Sequence, residues 1–333
     1  MKRIPHSCKS KACSSCGKKA TELWIKKQNG ILPKTTWQHI TFTMPSELWD
    51  FFWWNRFLLN KIGILAARSV QTIADSKGVT PAIFIAIHTF GRDLKRNVHI
   101  HLSVTTGGIS FNLCAWKNLF FDQQTLMRIW RYEIITLFRT SVLTLPPQVK
   151  AQLNHLGFNA FLDRLYKKTW IVHCAKPSND YPSIVAYLGR YIKRPAIAES
   201  KLRHYDGNKV TFRHLDHTSD TWKNLTLSVE DFIGKFVQHI PDKGFRMIRY
   251  YGLLATRVRG KLLPLAHFLL GQEMPEDTSA PAHAELILKN FGFDPLICIL
   301  CGARMVLTLI RYGKADVLSL LEKHRQLALL KKI

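Results

Sequence analysis

The sequence predicts an α+β fold: an antiparallel sheet flanked by helices, with a small Cys-rich module at the amino end and a helical carboxyl-terminal tail. Three observations predict it. Segments with period-two alternation are interleaved with segments of helical periodicity, in mixed order and not as regular strand–helix–strand repeats. Two strand-like segments, Pro81 to Phe90 and Val98 to Thr105, flank a short polar, basic loop from Gly91 to Arg96, as in a hairpin. The 333 residues are 47% hydrophobic, enough for a sizeable core and too apolar for global disorder.

The elements follow in order. Residues 1 to about 30 are polar, basic and Cys-rich, and end in a short helix from about Thr21 to Gln28. Trp37 to Thr43 alternates as a strand and is stopped by Pro45. An aromatic-rich helix is expected from Ser46 to Ser76, broken near Gly63, with Trp49, Phe51, Phe52, Trp53 and Trp54 mostly in the core. The hairpin comes next, its second strand ended by Gly107-Gly108. Phe121 to Thr144 and Pro147 to Tyr166 read as helices, and Trp170 to Ala175 as a short strand. Pro182 to Arg194 reads as a helix stopped by Pro195. Lys209 to His214 and Asn224 to Ser228 suggest strands, Val229 to His239 a helix, and Phe245 to Gly252 a last strand. From about Lys261 the chain is helical, with a linker rich in Glu, Pro and Ala near 273 to 285.

Lys plus Arg total 48 against 23 Asp plus Glu, a net charge of +25. That excess exceeds what solubility needs and points to a polyanion, nucleic acid before an anionic membrane. The apolar stretch Leu48 to Ala67 is interrupted by Asp50, Arg56 and Lys61, and no uncharged run reaches the ~18 residues of a membrane span. Met1-Lys2-Arg3 leads into Pro5, His6 and Cys8, which is not a signal peptide pattern. The seven cysteines fall as two clusters and two singles, a distribution that suggests metal more than disulfides.

Two constellations carry chemistry. In Asn97-Val98-His99-Ile100-His101-Leu102, a strand turns His99 and His101 to one face. If the hairpin pairs Phe90 with Asn97, then His88 lies opposite His99, and three imidazoles share that face. Three imidazoles can hold zinc, manganese or magnesium, and three protein ligands with open positions describe a catalytic site. The bland alternative is a row of ordinary sheet histidines. The second constellation is Tyr187-Leu188-Gly189-Arg190-Tyr191-Ile192-Lys193-Arg194-Pro195. On a helix, Ile184, Val185, Leu188 and Ile192 form an apolar stripe bordered by Tyr187 and Tyr191, with Arg190 and Arg194 beyond. The tyrosines are either amphipathic edge residues or nucleophiles for a phosphodiester, with the arginines steadying phosphate charge.

These blocks resemble the rolling-circle insertion-sequence transposases with two catalytic tyrosines, of the HUH endonuclease superfamily. The resemblance is carried by Trp37-Gln38-His39-Ile40-Thr41-Phe42-Thr43-Met44-Pro45, His88-Thr89-Phe90-Gly91-Arg92, His99-Ile100-His101, the tyrosine block, and Phe245-Arg246-Met247-Ile248-Arg249-Tyr250-Tyr251-Gly252. It spans roughly residues 6 to 305. It implies an HUH-like antiparallel sheet with the tyrosine helix packed over the histidine face. It further implies that His99 and His101 hold a divalent ion, Mg²⁺ or Mn²⁺, and that His88 is the choice for a third ligand on the hairpin register. Tyr187 or Tyr191 would attack single-stranded DNA at the element's ends, leaving a 5′-phosphotyrosine and a free 3′-OH, in the cytoplasm of a prokaryote. Where the family has His-Pro before the His-x-His, this chain has Asn97-Val98.

The family also carries an N-terminal zinc module whose last part resembles His6 to Lys19, with Cys8, Cys13 and Cys16 as zinc ligands and His6 as a candidate fourth. Cys298 and Cys301 form a second pair able to complete a four-thiolate site with Cys13 and Cys16, and Cys114 and Cys174 read as core thiols. The expected domains are a partial zinc-binding module at 1–30, a catalytic domain at 31–260 and a helical region with a Cys pair at 261–333. The clusters Arg92, Lys95, Arg96 and Arg246, Arg249, Arg257, Arg259 read as phosphate-tracking surface. Two other readings stay open: a plasmid or phage replication initiator or relaxase with the same chemistry, and a non-catalytic zinc-dependent DNA-binding remnant.

Overall fold

Alternating and apolar segments build the predicted sheet in a computed structural model that describes residues 8–306, apart from 9, 11, 154–156, 194, 217–218, 274–282 and 299. The chain forms two units, 1–279 and 280–333. The strands are β1 (Trp37–Phe42), β2 (Val79–Phe90), β3 (Arg96–Ser110), β4 (Trp116–Asn118), β5 (Val172–Cys174), β6 (Leu202–Tyr205), β7 (Lys209–Leu215), β8 (Trp222–Ser228) and β9 (Ile248–Gly252). The helices are α1 (Ser14–Asn29), α2 (Phe51–Trp54), α3 (Leu58–Asp75), α4 (Gln123–Thr140), α5 (Pro147–Gln152), α6 (Gly157–Lys167), α7 (Tyr181–Lys193), α8 (Val229–Val237), α9 (Arg259–Leu269) and α10 (His283–Phe291).

The main sheet runs in the order β5-β1-β3-β2-β9, with β4 paired to the end of β3; β6-β7-β8 form a second sheet. All pairings are antiparallel. One face of the main sheet presents Ile40, Phe42, Ile83, Ile85, Ile87, Val98, Ile100, Leu102 and Val104 to a core completed by α3, α4 and α6. The other presents Trp37, Ala82, Phe84 and Ala86 to Trp24 of α1, Val185 and Leu188 of α7, and Leu263 and Ala266 of α9. Burial on both faces explains why β2 is apolar without alternation from Pro81 to Ile87. Each such side chain contributes about 1.5–3 kcal/mol when fully buried. Among the described residues no helix is long and apolar enough to cross a membrane.

Several expectations are corrected. The helix break after Ser46 falls at Asn55, not Gly63. The Asn55 side chain donates to the carbonyls of Phe51 (3.0 Å) and Thr144 (2.8 Å), holding the chain out of helical register. Gly63 lies inside α3, where a Cβ would sit 2.6 Å from Ile85 Cδ1; glycine lets the helix approach β2. Gly107-Gly108 does not end β3. The ladder shifts register there, the Ala82 N–H donates to Thr105 Oγ1 (3.0 Å), and β3 continues to pair with β4. The expected Phe90–Asn97 pair is replaced by Phe90–Arg96, because β3 carries one extra residue before His99; His88 nevertheless lies opposite His99. Cys114 is exposed, in the turn after β3, and Cys174 is only partly buried. Of the aromatic run, Phe51 and Phe52 are core, whereas Trp54 is half exposed.

Candidate functional site

The β1–β3 register puts Thr41 opposite His101 and His39 opposite Ser103, and the β2–β3 register puts His88 opposite His99. His88, His99, His101 and His39 therefore project from one sheet face. One ligand atom from each of His88, His99 and His101 lies within 4.8 Å of the others. The Nε2 atoms of His99 and His101 are 3.1 Å apart, and His101 Nδ1 is 3.0 Å from His39 Nε2. His99 Nδ1 lies 2.9 Å from the Asn97 carbonyl, which can only accept, so His99 carries its proton on Nδ1 and its lone pair on Nε2. Nitrogens bound to one ion at ~2.1 Å sit about 3.0–3.4 Å apart, so the His99–His101 spacing fits a shared divalent ion.

Burial holds these rings neutral. It pushes His39 down to about 4, helped by the nearby charge of His173. Burial also takes His99 to about 4, against the hydrogen bond that its Nδ1–H donates to the Asn97 carbonyl. It takes His101 well below its ordinary value, with His99 and His39 adding to the effect. At neutral pH the lone pairs are thus available to a metal. The unfolded histidines take up protons near pH 6.5 but the folded ones resist to about 4, so stability of the metal-free protein is full above pH 6.5 and falls as pH drops towards 4. Across that interval each of His39 and His99 costs about 1.4 kcal/mol per pH unit. Thermal midpoints that stay flat from pH 7 to 4.5 would sink this prediction.

The α7 helix carries Tyr187 to the same face. Val185 and Leu188 are buried against Trp24 and Phe84. Gly189 is pressed on α1, where a Cβ would meet Ile25 Cγ1 at 2.7 Å, and Thr21 Oγ1 donates to the Gly189 carbonyl at 3.1 Å. The Tyr187 ring stands edge-on to His39 at 5.6 Å and to His101 at 6.2 Å between centroids. Tyr191 lies one turn further along the α7 backbone. The side chains of Arg190 and Tyr191, and the whole of Arg194, lie outside the described residues.

The basic clusters divide into two kinds. Arg96 is held by Asp50 (2.7 Å) and Gln238 (2.9 Å) and stacks on Trp53, and Lys95 pairs with Asp93 (3.0 Å). Arg249 donates to the Asn60 carbonyl and side chain. Arg96 and Arg249 are thus tied into the fold, whereas Arg92 and Lys95 are exposed. Lys243, Arg246, Arg249 and Arg259 line an open cleft of about 740 Å³ along β9.

At the amino end, the sulfurs of Cys8, Cys13 and Cys16 lie within 4.8 Å of one another, with Cys8 and Cys16 3.4 Å apart. Cys13 caps α1, its sulfur accepting the Cys16 N–H. The Ser10 backbone favours the Cys8 thiolate, but the neighbouring Cys16 and Cys13 thiols outweigh it and raise Cys8 above its usual value. Tetrahedral zinc at ~2.3 Å spaces thiolates about 3.8 Å apart, so the three sulfurs fit that ion; His6 lies outside the described residues. Cys298 and Cys301 belong to the second unit. There the Gly302 N–H donates to the Cys298 carbonyl (2.9 Å), and the Cys301 and Leu300 amides hold the Cys298 thiol below its ordinary value.

His39 is the site residue that sequence reasoning did not assign. Its signal was the alternation of Trp37, His39 and Thr41, but only the β1–β3 pairing brings it to His101.

Residues 82–261 match a family described as putative transposase, and residues 1–44 match a transposase zinc-binding domain. The chain is 40% identical over 312 residues to the transposase for insertion sequence element IS801 of Pseudomonas savastanoi pv. phaseolicola, covering 92% of this chain and 76% of that protein. It is 29% identical over 293 residues to the putative transposase y4qJ of Sinorhizobium fredii, covering 83% and 73% respectively. No solved structure matches. With a family match over more than half its length and such a relative along most of both chains, the protein belongs to the transposase family of insertion sequence elements.

Proposed function

We propose that this transposase nicks and rejoins single-stranded DNA at its element's ends through a 5′-phosphotyrosine intermediate, as HUH enzymes of rolling-circle elements do. One observation supports this reading above the others: the Tyr187 ring stands on the face of a three-histidine cluster. In this reading the oxygen of Tyr187 or Tyr191 attacks the scissile phosphorus, forming the phosphotyrosine bond while the P–O3′ bond breaks. The phenol proton goes to solvent, and the departing O3′ takes up a proton from solvent to become a free hydroxyl. The other tyrosine serves the second transesterification, and Arg190 and Arg194 steady the phosphate charge.

His88, His99 and His101 would hold the divalent ion, Mg²⁺ or Mn²⁺, which when bound draws charge from a non-bridging phosphate oxygen. His101 can present its Nε2 lone pair only with its proton on Nδ1, and His39 Nε2 stands 3.0 Å away to accept it. His39 is thus the positioning residue for a ligand. Cys8, Cys13 and Cys16 would hold a structural zinc in a module at 1–30, preceding a catalytic domain at 31–260 and a carboxyl-terminal region at 261–333 with the Cys298–Cys301 pair.

The test is an adduct assay with a single-stranded oligonucleotide from the element's own ends and Mg²⁺ or Mn²⁺. A covalent protein–DNA species is expected in wild type and is lost in the Tyr187→Phe, Tyr191→Phe double variant. Wild type that binds these ends without ever forming the adduct would leave a DNA-binding remnant in place of an enzyme.

A further inference from the structure

The second sheet has a face that the transesterification chemistry leaves unexplained. On its inner side Phe212, Leu225 and Leu227 pack against Phe232 and Phe236 of α8. The register turns the alternate residues outward: Lys209 with Ser228, Thr211 with Thr226, Arg213 with Asn224 and Leu215 with Trp222. Trp222 is 50% exposed, which is unusual for so large an apolar ring on a strand. The Arg213 guanidinium lies 4.6 Å from its ring centroid and the Lys201 ammonium 5.8 Å. Two carboxylates of this region are engaged at the turns, while Asp220 is exposed at the turn before Trp222. Asp206 accepts from the Asn208 and Lys209 amides, and Asp216 pairs with Lys223. Among the described residues Lys201, Lys209 and Arg213 have no ion pair. The outward face is therefore a cationic ledge with an open aromatic ring.

The second sheet packs on the loop that joins the two histidine-bearing strands. The loop between β2 and β3, which starts three residues after His88, buries Leu94 against Ile197 and Phe212. The Leu94 carbonyl is bonded to His239 at 3.0 Å. Arg92 of that loop is near enough to depress the Lys201 ammonium, after the larger effect of burial. Cations thus run from the loop beside the histidines, through Arg92 and Lys201, to Trp222 and Arg213.

We propose that the outward face of the β6–β8 sheet is a binding ledge for the single-stranded DNA flanking the scissile phosphate, with Trp222 stacking a base and Lys201, Arg213 and Lys209 tracking phosphates. The combination suits a single strand, whose bases are free to stack whatever their sequence, and not a duplex, whose bases are already stacked. The assignment rests on the single-stranded substrate proposed above, but it concerns binding and not chemistry.

The experiment therefore reads affinity and adduct separately, on the full chain. Oligonucleotides confined to a few nucleotides around the nick are compared with ones extended by about ten nucleotides on either side, and with the matching duplex. Wild type should bind one of the extended strands more tightly than the short one and than the duplex. Trp222→Ala should weaken the extended strand roughly 5- to 100-fold, the range for losing one stacked base. Trp222→Phe should restore part of that loss, and the adduct yield on the short oligonucleotide should not change. The salt dependence of extended-strand binding should become shallower in Arg213→Ala. Equal affinity of wild type for short and extended strands, or a length advantage that survives Trp222→Ala in correctly folded protein, overturns the ledge. Absence of an adduct with a retained length advantage would overturn the chemistry and spare the ledge.

Discussion

The His99→Ala, His101→Ala double variant will lose at least about 10³-fold in adduct-forming rate while its affinity for single-stranded ends stays within about twofold of wild type. The two Nε2 atoms converge at 3.1 Å, and neither ring carries charge at neutral pH, so phosphate binding gains nothing from them directly. Their removal deletes the proposed ligand pair and leaves the exposed cations in place. His39→Ala should be milder, losing roughly 10- to 100-fold in divalent-ion affinity, because it removes only the acceptor that holds the His101 tautomer. His39→Gln keeps an acceptor oxygen and should recover part of that. Titration of Mn²⁺ alongside oligonucleotide binding measures both quantities. If the double variant loses DNA affinity as much as cleavage, the histidines are a binding surface and not a metal site.

The largest effect on stability is expected at a position remote from the chemistry. Gly252 closes β9 with φ +58, and a Cβ there would fall within the contact radius of the Pro81 carbonyl oxygen. That carbonyl cannot retreat without losing the Leu253 N–H it accepts at 3.0 Å, and Gly252 is paired with Ala82 in the ladder. Gly252→Ala adds left-handed strain to a backbone clash, and should cost about 3 kcal/mol or more. Gly260, inside α9 with open space around it, is the control: Gly260→Ala should be neutral or stabilise by up to about 1 kcal/mol. Denaturant midpoints of the two variants decide it, and a Gly252→Ala midpoint equal to wild type would contradict the argument.

What could be read without coordinates was what neighbouring residues decide among themselves. Alternation turned His99 and His101 together, a short polar loop set His88 opposite His99, and helical spacing put Tyr187 at the border of an apolar stripe. The hairpin survived a miscounted loop because the extra residue lies in β3 between Arg96 and His99 and was offset by pairing Phe90 one residue earlier. Features that depend on distant segments stayed hidden. His39 joins the cluster only through the β1–β3 pairing, 62 residues away from His101 in sequence. Asn55 breaks a helix by bonding to Thr144 across 89 residues. Gly107 and Gly108 look like a strand end locally, and become a register shift only once β4 and the Thr80 backbone crowd against them. The outward ledge on β6–β8 was invisible for the same reason: Arg213 of β7 and Trp222 of β8 meet Lys201, from the turn before β6, only once the sheet forms.

The contact between α1 and α7 joins the two ends of the chemistry mechanically. Cys13 caps the first turn of α1, Thr21 in its second turn bonds the Gly189 carbonyl, and Trp24 one turn later donates to Tyr250 at 2.9 Å. Under the proposed zinc and nucleophile assignments, Cys8, Cys13 and Cys16 would act as an anchor bolt at one end of a lever whose other end, the Gly189 carbonyl held by Thr21, lies two residues from Tyr187. Loosening that bolt should show first as lost adduct and only later as lost fold.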